Sequence, residues 1–177
     1  SANLDQDFVL QSVAEEMIRA LRVDTCTIFV WDSTQQTLAP AVHRNQVYPE
    51  ERPLSDDDPN QIFGLSRIEN LSSYAVVQRT FHRQEAYTVR RDNAVTSEQI
   101  ALLDASGLQS VLLLPLVQRN DVLGLLALGQ VHSLRTIEHN SLRLAQNLAG
   151  QAAVAIDHAR LFAQARRRVS ELSAFHN

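Results

Sequence analysis

The sequence contains no lysine: all sixteen basic side chains are arginine, and twenty carboxylates set against them leave a formal charge of −4. That balance excludes the broad cationic footprint of a nucleic-acid-binding surface. Only one cysteine is present, Cys26. No intrachain disulfide can form, and redox cycles that need both a nucleophilic and a resolving thiol are excluded. No basic-then-apolar leader opens the sequence, so a reducing, cytoplasmic setting is expected. Catalytic and metal signatures are missing as well: there is no G-x-S-x-G elbow, no H-E-x-x-H pair and no cysteine-pair ligand set. Asp56, Asp58 and Asn60 begin like a calcium loop, but Gln61 stands where the turn glycine belongs and Arg67 where the bidentate glutamate belongs, so the run reads as a solvated acidic loop.

The longest apolar stretch, SVLLLPLVQRNDVLGLLALGQV over residues 110–131, approaches the length of a bilayer span. Gln118, Arg119, Asn120 and Asp121 interrupt it at the centre, where no lipid-crossing helix would carry them. It therefore reads as two apolar strands joined by a tight polar turn and buried inside one domain; no membrane insertion is expected. Gly124 and Gly129 have phosphate-loop spacing but no lysine follows, which makes GLLALGQV a strand.

Residues Asn3 to Val23 predict an amphipathic helix with Val9, Val13, Met17, Ala20 and Leu21 on its apolar stripe, Asn3 and Gln6 capping its start. Thr25 to Asp32 and Thr37 to Arg44 follow as strands. Periodicity is lost from Asn45 to Asn70. A short helix is expected over Leu71 to Phe81, a brief strand over Ala86 to Val89, and a helix over Thr96 to Leu103 with Thr96 as cap and Gly107 as the turn beyond it. From Thr136 to Leu172, Ile137, Leu144, Leu148, Ala152, Ile156, Ala159 and Ala163 recur at helical spacing. Such a helix is about 55 Å long, whereas a globule of this size is about 40 Å across. Its end must project, and there Phe162, Ala165, Val169 and Leu172 are spaced three, four, three, as in a coiled-coil seam. Gly150 sits among alanines 145, 149, 152 and 153, where a second helix is expected to approach closely.

Three stretches resemble the GAF domain, a sensory module of bacterial histidine kinases, diguanylate cyclases, phytochromes and cyclic-nucleotide phosphodiesterases. They are the first helix with VDTCTIFVWD, the hairpin with Pro115 and Gly124, and TIEHNSLRLAQNLAGQAAVAIDHARLF. Arg135 departs from the aromatic that usually precedes the threonine of the last helix. The resemblance implies an α+β fold: a central antiparallel sheet of five to six strands, first and last strands adjacent at its centre, terminal helices on one face and an irregular helical pocket segment on the other. It implies a sensory domain over residues 1–163, a linker helix over 164–177, and a non-catalytic role in a bacterial signalling protein, with any catalysis in a following kinase or cyclase module. The alternative is a dimerisation and spacer module with a collapsed pocket.

Expected partners are a second copy through the terminal helices and a small molecule. Phe63, Tyr74, Phe81, His82, Tyr87 and Arg90 are the candidate ligand contacts, because aromatic walls with a few polar groups make small-molecule pockets. The cofactor is left open. Covalent bilin is not expected, since Cys26 lies within a strand as a small buried hydrophobe; nor is haem, His43 and His82 reading as surface or loop histidines. Arg91 is read as exposed, and Arg166 to Arg168 as a solvated helix face.

Overall fold

The polar knot of the long apolar run is a two-residue turn. Arg119 and Asn120 both take positive φ, 52° and 65°, which matches the twist of the strands they join. Gln118 and Asp121 pair across it, between β4 (Ser110–Gln118) and β5 (Asp121–Gln130). The computed structural model describes residues 2–46, 64–132, 137 and 139–175. Within them run α1 (Ala2–Leu21), β1 (Thr25–Asp32), β2 (Thr37–Asn45), α2 (Ala75–Arg83), β3 (Tyr87–Arg90), α3 (Ser97–Ser106), β4, β5 and α4 (His139–Phe175). Short 3-10 turns occupy Leu65–Arg67, Leu71–Ser73 and Arg91–Asn93.

Five described strands form one antiparallel sheet in the order β2-β1-β5-β4-β3, so the first and last strands meet at its centre, as the resemblance implies. Strand side chains alternate between faces, and here both faces are covered. Ile28, Leu114 and Leu126 enter one core with Met17 of α1 and Ala152 and Ile156 of α4. Phe29, Leu113 and Leu125 enter a second core with Val77 of α2 and Leu102 of α3. That is why the hairpin looked uniformly apolar. Pro115 is accommodated because β3 pairs with β4 only as far as Leu113, leaving an edge where no amide donor is required.

Several sequence expectations shift. α1 is already helical at Ala2, so Asn3 lies inside it rather than capping it, and it ends at Leu21, before Arg22 at φ 54°. Its buried line is Leu10, Val13, Ala14, Met17, Ile18 and Leu21, while Val9 is half-buried and Ala20 exposed. On α4 the line runs through Ala145, Leu148, Ala149, Ala152, Ala153 and Ile156, leaving Leu144 and Ala163 exposed. The shift has one cause. α1 packs directly on α4, and alanines admit a closer backbone than leucines. Gly150 is not part of that contact: a Cβ built on it meets nothing within 4 Å. The Thr96 cap is confirmed by its side chain accepting from the Gln99 amide, and Gly107 at φ 73° ends α3. Thr136, Arg135 and residues 56, 58, 60 and 61 lie outside the described residues.

Beyond Ala159 every residue from 160 to 174 is exposed, although the helix continues. Among the described residues no helix is long and apolar enough to cross a membrane.

Candidate functional site

The turn between β1 and β2 is held by its own side chains. The Asp32 carboxylate accepts from the amides of Thr34 at 2.9 Å and Gln35 at 3.2 Å, and Gln36, at φ 56°, donates its side-chain N–H to the Ser33 carbonyl at 2.8 Å. This turn walls one side of a groove of about 830 Å³ whose other wall is α2 and the 3-10 turn before it. Trp31 and Phe81 meet edge to face in the groove, ring centroids 5.4 Å apart and planes at 73°. Gln36, Asn70, Gln78 and His82 supply polar lining.

Of the six expected ligand contacts, the structure brings two here, Phe81 and His82. Tyr74 and Tyr87 are instead half-buried against the second core. Tyr87 is fixed there by Gln99, whose side-chain N–H donates to its hydroxyl at 3.4 Å, and by the Arg79 guanidinium 4.7 Å from its ring centre. Arg90 is ion-paired with Asp92 at 2.9 Å and is not among the residues lining the groove. Arg91 is similarly spent on Asp104 at 2.7 Å. Phe63 lies outside the described residues. The sequence reading missed Trp31 and the glutamines.

Among the described residues no group of three His, Cys, Asp or Glu side chains stands close enough to hold a metal ion. His43 lies on the sheet face of the second core beside Gly64, its Nδ1 2.7 Å from the Thr27 hydroxyl. Burial pushes its imidazole below the ordinary 6.5 and so favours the neutral ring. Cys26 is fully buried, and burial raises its thiol far above the usual range; it is an inert packing group.

A set of polar contacts connects the groove helix to α4. Gln84, the residue that ends α2, donates its side-chain N–H to the Asn120 carbonyl at 2.8 Å. Next to it in the same turn, Arg119 donates to Asp157 of α4 at 2.5 Å, and Arg160 donates to the other carboxylate oxygen at 2.9 Å. Asp157 is buried. Burial alone would raise its pKa, but the two arginines outweigh that and hold the carboxyl below its ordinary 3.8. A carboxyl depressed by folding adds stability that is complete above its unfolded pKa and is lost as pH falls through the folded one. Asp157→Asn should cost about 1–2 kcal/mol at neutral pH, the low end for a charged hydrogen bond, because the Arg119 and Arg160 side chains are 58% and 41% exposed and keep water as a partner. The cost should fade below pH 3.8. Urea unfolding of both proteins across that range checks it.

A family profile described as "GAF domain" matches residues 5–158. No curated protein matches the chain in sequence. Solved structures do match in shape. The GAF domain/HD domain protein from Geobacter sulfurreducens superposes with a TM-score of 0.67 at 15% identity, over 91% of this chain and 97% of that one. The blue-light absorbing form of the Thermosynechococcus elongatus PixJ GAF domain gives 0.67 at 14% identity, over 97% and 96%. Residues 122 to 287 of a methyl-accepting chemotaxis protein give 0.63 at 18% identity, over 89% and 92%. At such identities the likeness is one of fold.

Proposed function

The chain belongs to the GAF domain family, and from that premise we propose that it is a non-catalytic sensory input domain, spanning residues 1–163, that passes its state to a dimeric helical stalk beginning at residue 164. The observation that carries this reading is the exposed end of α4. Phe162, Val169 and Leu172 are 50%, 64% and 62% exposed on a helix that has already left its own core. Ala165 is exposed in line with them. Large apolar side chains spaced three and four apart on a helix without a local partner are what a second helix covers. Leu4 and Phe8, 69% and 74% exposed on α1, extend the apolar surface available to the same second copy.

Transmission needs two states that a signal distinguishes energetically. Occupation of the groove would bias α2, and the Gln84–Asn120 and Arg119–Asp157 contacts place the hairpin turn between α2 and the stalk helix. In this reading the stalk hands its state to a following output module of kinase or cyclase type, in a bacterial, cytoplasmic signalling protein. The chemotaxis relative supports the signalling context. One observation favours the spacer alternative: among the described residues the sheet face beneath α2 and α3 is filled by Phe29, Leu113, Leu125 and their neighbours. Native mass spectrometry separates the two. Dimers carrying a retained small molecule support the sensory reading, dimers that stay ligand-free under all conditions support the spacer, and monomers at micromolar concentration contradict both.

A further inference from the structure

The groove between the β1–β2 turn and α2 is a mixed surface whose chemistry selects among small molecules. Its two rings offer an apolar face, and, His82 aside, every polar lining side chain is an amide or a hydroxyl. The amides are already oriented. Gln36 spends its N–H on the Ser33 carbonyl at 2.8 Å, and Gln78 leans its N–H on the Ser73 carbonyl at 3.5 Å. Both glutamines are exposed, and with their N–H groups turned to the backbone their side-chain carbonyl oxygens are the groups that can accept from a ligand hydroxyl. Asn70, exposed in the same wall, adds a further amide with both a donor and an acceptor.

Charge is matched against anions. Among the described residues no arginine lines the groove; His82 is the one basic side chain in its wall, and Arg79 of α2 is engaged over Tyr87. The Asp32 carboxylate closes the turn next to Trp31. A phosphate brought here would meet amides and hydroxyls, with no guanidinium among the described residues to replace its lost hydration.

We infer that this groove binds an uncharged ring compound bearing hydroxyl donors, a free sugar or a nucleoside, and discriminates against its phosphorylated counterpart. The ring's apolar face lies against Trp31 and Phe81, and its hydroxyls donate to the Gln36 and Gln78 carbonyl oxygens. This rests on the sensory reading above and names the ligand class for the same site.

Trp31 is the chain's only tryptophan, so its emission reports the groove directly. The full chain is titrated with two matched pairs, glucose against glucose 6-phosphate and adenosine against AMP. A saturable change in Trp31 emission with glucose assigns the sugar class, and one with adenosine the nucleoside class; in either case the phosphorylated member should bind about tenfold more weakly or worse. Gln78→Leu should weaken the neutral ligand by about threefold to tenfold while leaving the urea midpoint in place, since Gln78 is exposed on α2 and outside the β1–β2 turn. Equal binding of a neutral compound and its phosphate overturns the inference, and so does silence from both neutral probes up to about 10 mM, beyond which affinities carry little specificity. Dimers surviving in the same samples would leave the stalk reading standing when the ligand class fails.

Discussion

Gly124→Ala should unfold or nearly unfold the domain, at a cost of about 3–5 kcal/mol against a total stability of about 5–15 kcal/mol. A Cβ at this position would stand 2.1 Å from the Phe29 carbonyl oxygen and 3.2 Å from a Leu116 methyl. The first of these is backbone on β1, the strand hydrogen-bonded to β5 at the middle of the sheet, with Val30 opposite Gly124 in the register. Relief requires the two central strands to part, and both cores are built on them. The same substitution at other glycines should behave differently. At Gly129 the crowding atoms are the Thr25 hydroxyl at 2.5 Å and Leu108 methyls at 2.7 and 2.8 Å, side-chain ends that can move, so the cost should be about 1–3 kcal/mol. Gly150→Ala, in open space on α4, should stabilise by about 0.5–1 kcal/mol. Urea midpoints for the three variants must fall in that order, with Gly150→Ala above the parent.

Phe29→Ala is the second large effect, about 3–5 kcal/mol. Phe29 is 2% exposed and is the largest side chain of the core beneath α2 and α3. Its removal leaves a void that strand and helix backbones cannot close without breaking the sheet. The urea midpoint should drop with the slope unchanged, the mark of lost stability rather than an altered unfolded state. Phe162→Ala, at 50% exposure on the stalk, should leave the domain's own stability within about 0.5 kcal/mol. If the two phenylalanines cost the same, the division between body and stalk is wrong.

What could be read from the sequence was local. The hairpin announced itself because a polar tetrad inside an apolar run has one economical solution, and β4 and β5 turn at Arg119 and Asn120 within it. Thr96 and Gly107 bracket α3 through cap chemistry that acts within four residues. The buried lines of α1 and α4 were harder, since alanine carries little pattern: Ala14 faces the core and Ala20 faces water, and only the packing of α1 on α4 decides which. Of the groove, only Phe81 and His82 could be read. It joins Trp31 and Gln36 from one turn to Gln78 and Phe81 from a helix some forty residues later, and glutamines have no spacing that marks a site. Choosing aromatics as pocket walls found Phe81 but also Tyr74 and Tyr87, whose rings pack against the core. Asp157 pairs with Arg119 across 38 residues, a contact that exists only once the sheet has formed.

Sedimentation equilibrium of residues 1–177, set beside the Val169→Glu, Leu172→Glu double variant, puts the proposal under the greatest strain. Both positions are solvent-exposed in the single chain, so the charges leave its fold intact. The parent should sediment as a dimer and the variant as a monomer with an unchanged urea midpoint for the domain at low concentration. A parent that is monomeric, or a variant that dimerises as tightly as the parent, would mean that the exposed end of α4 is not the surface through which this domain acts.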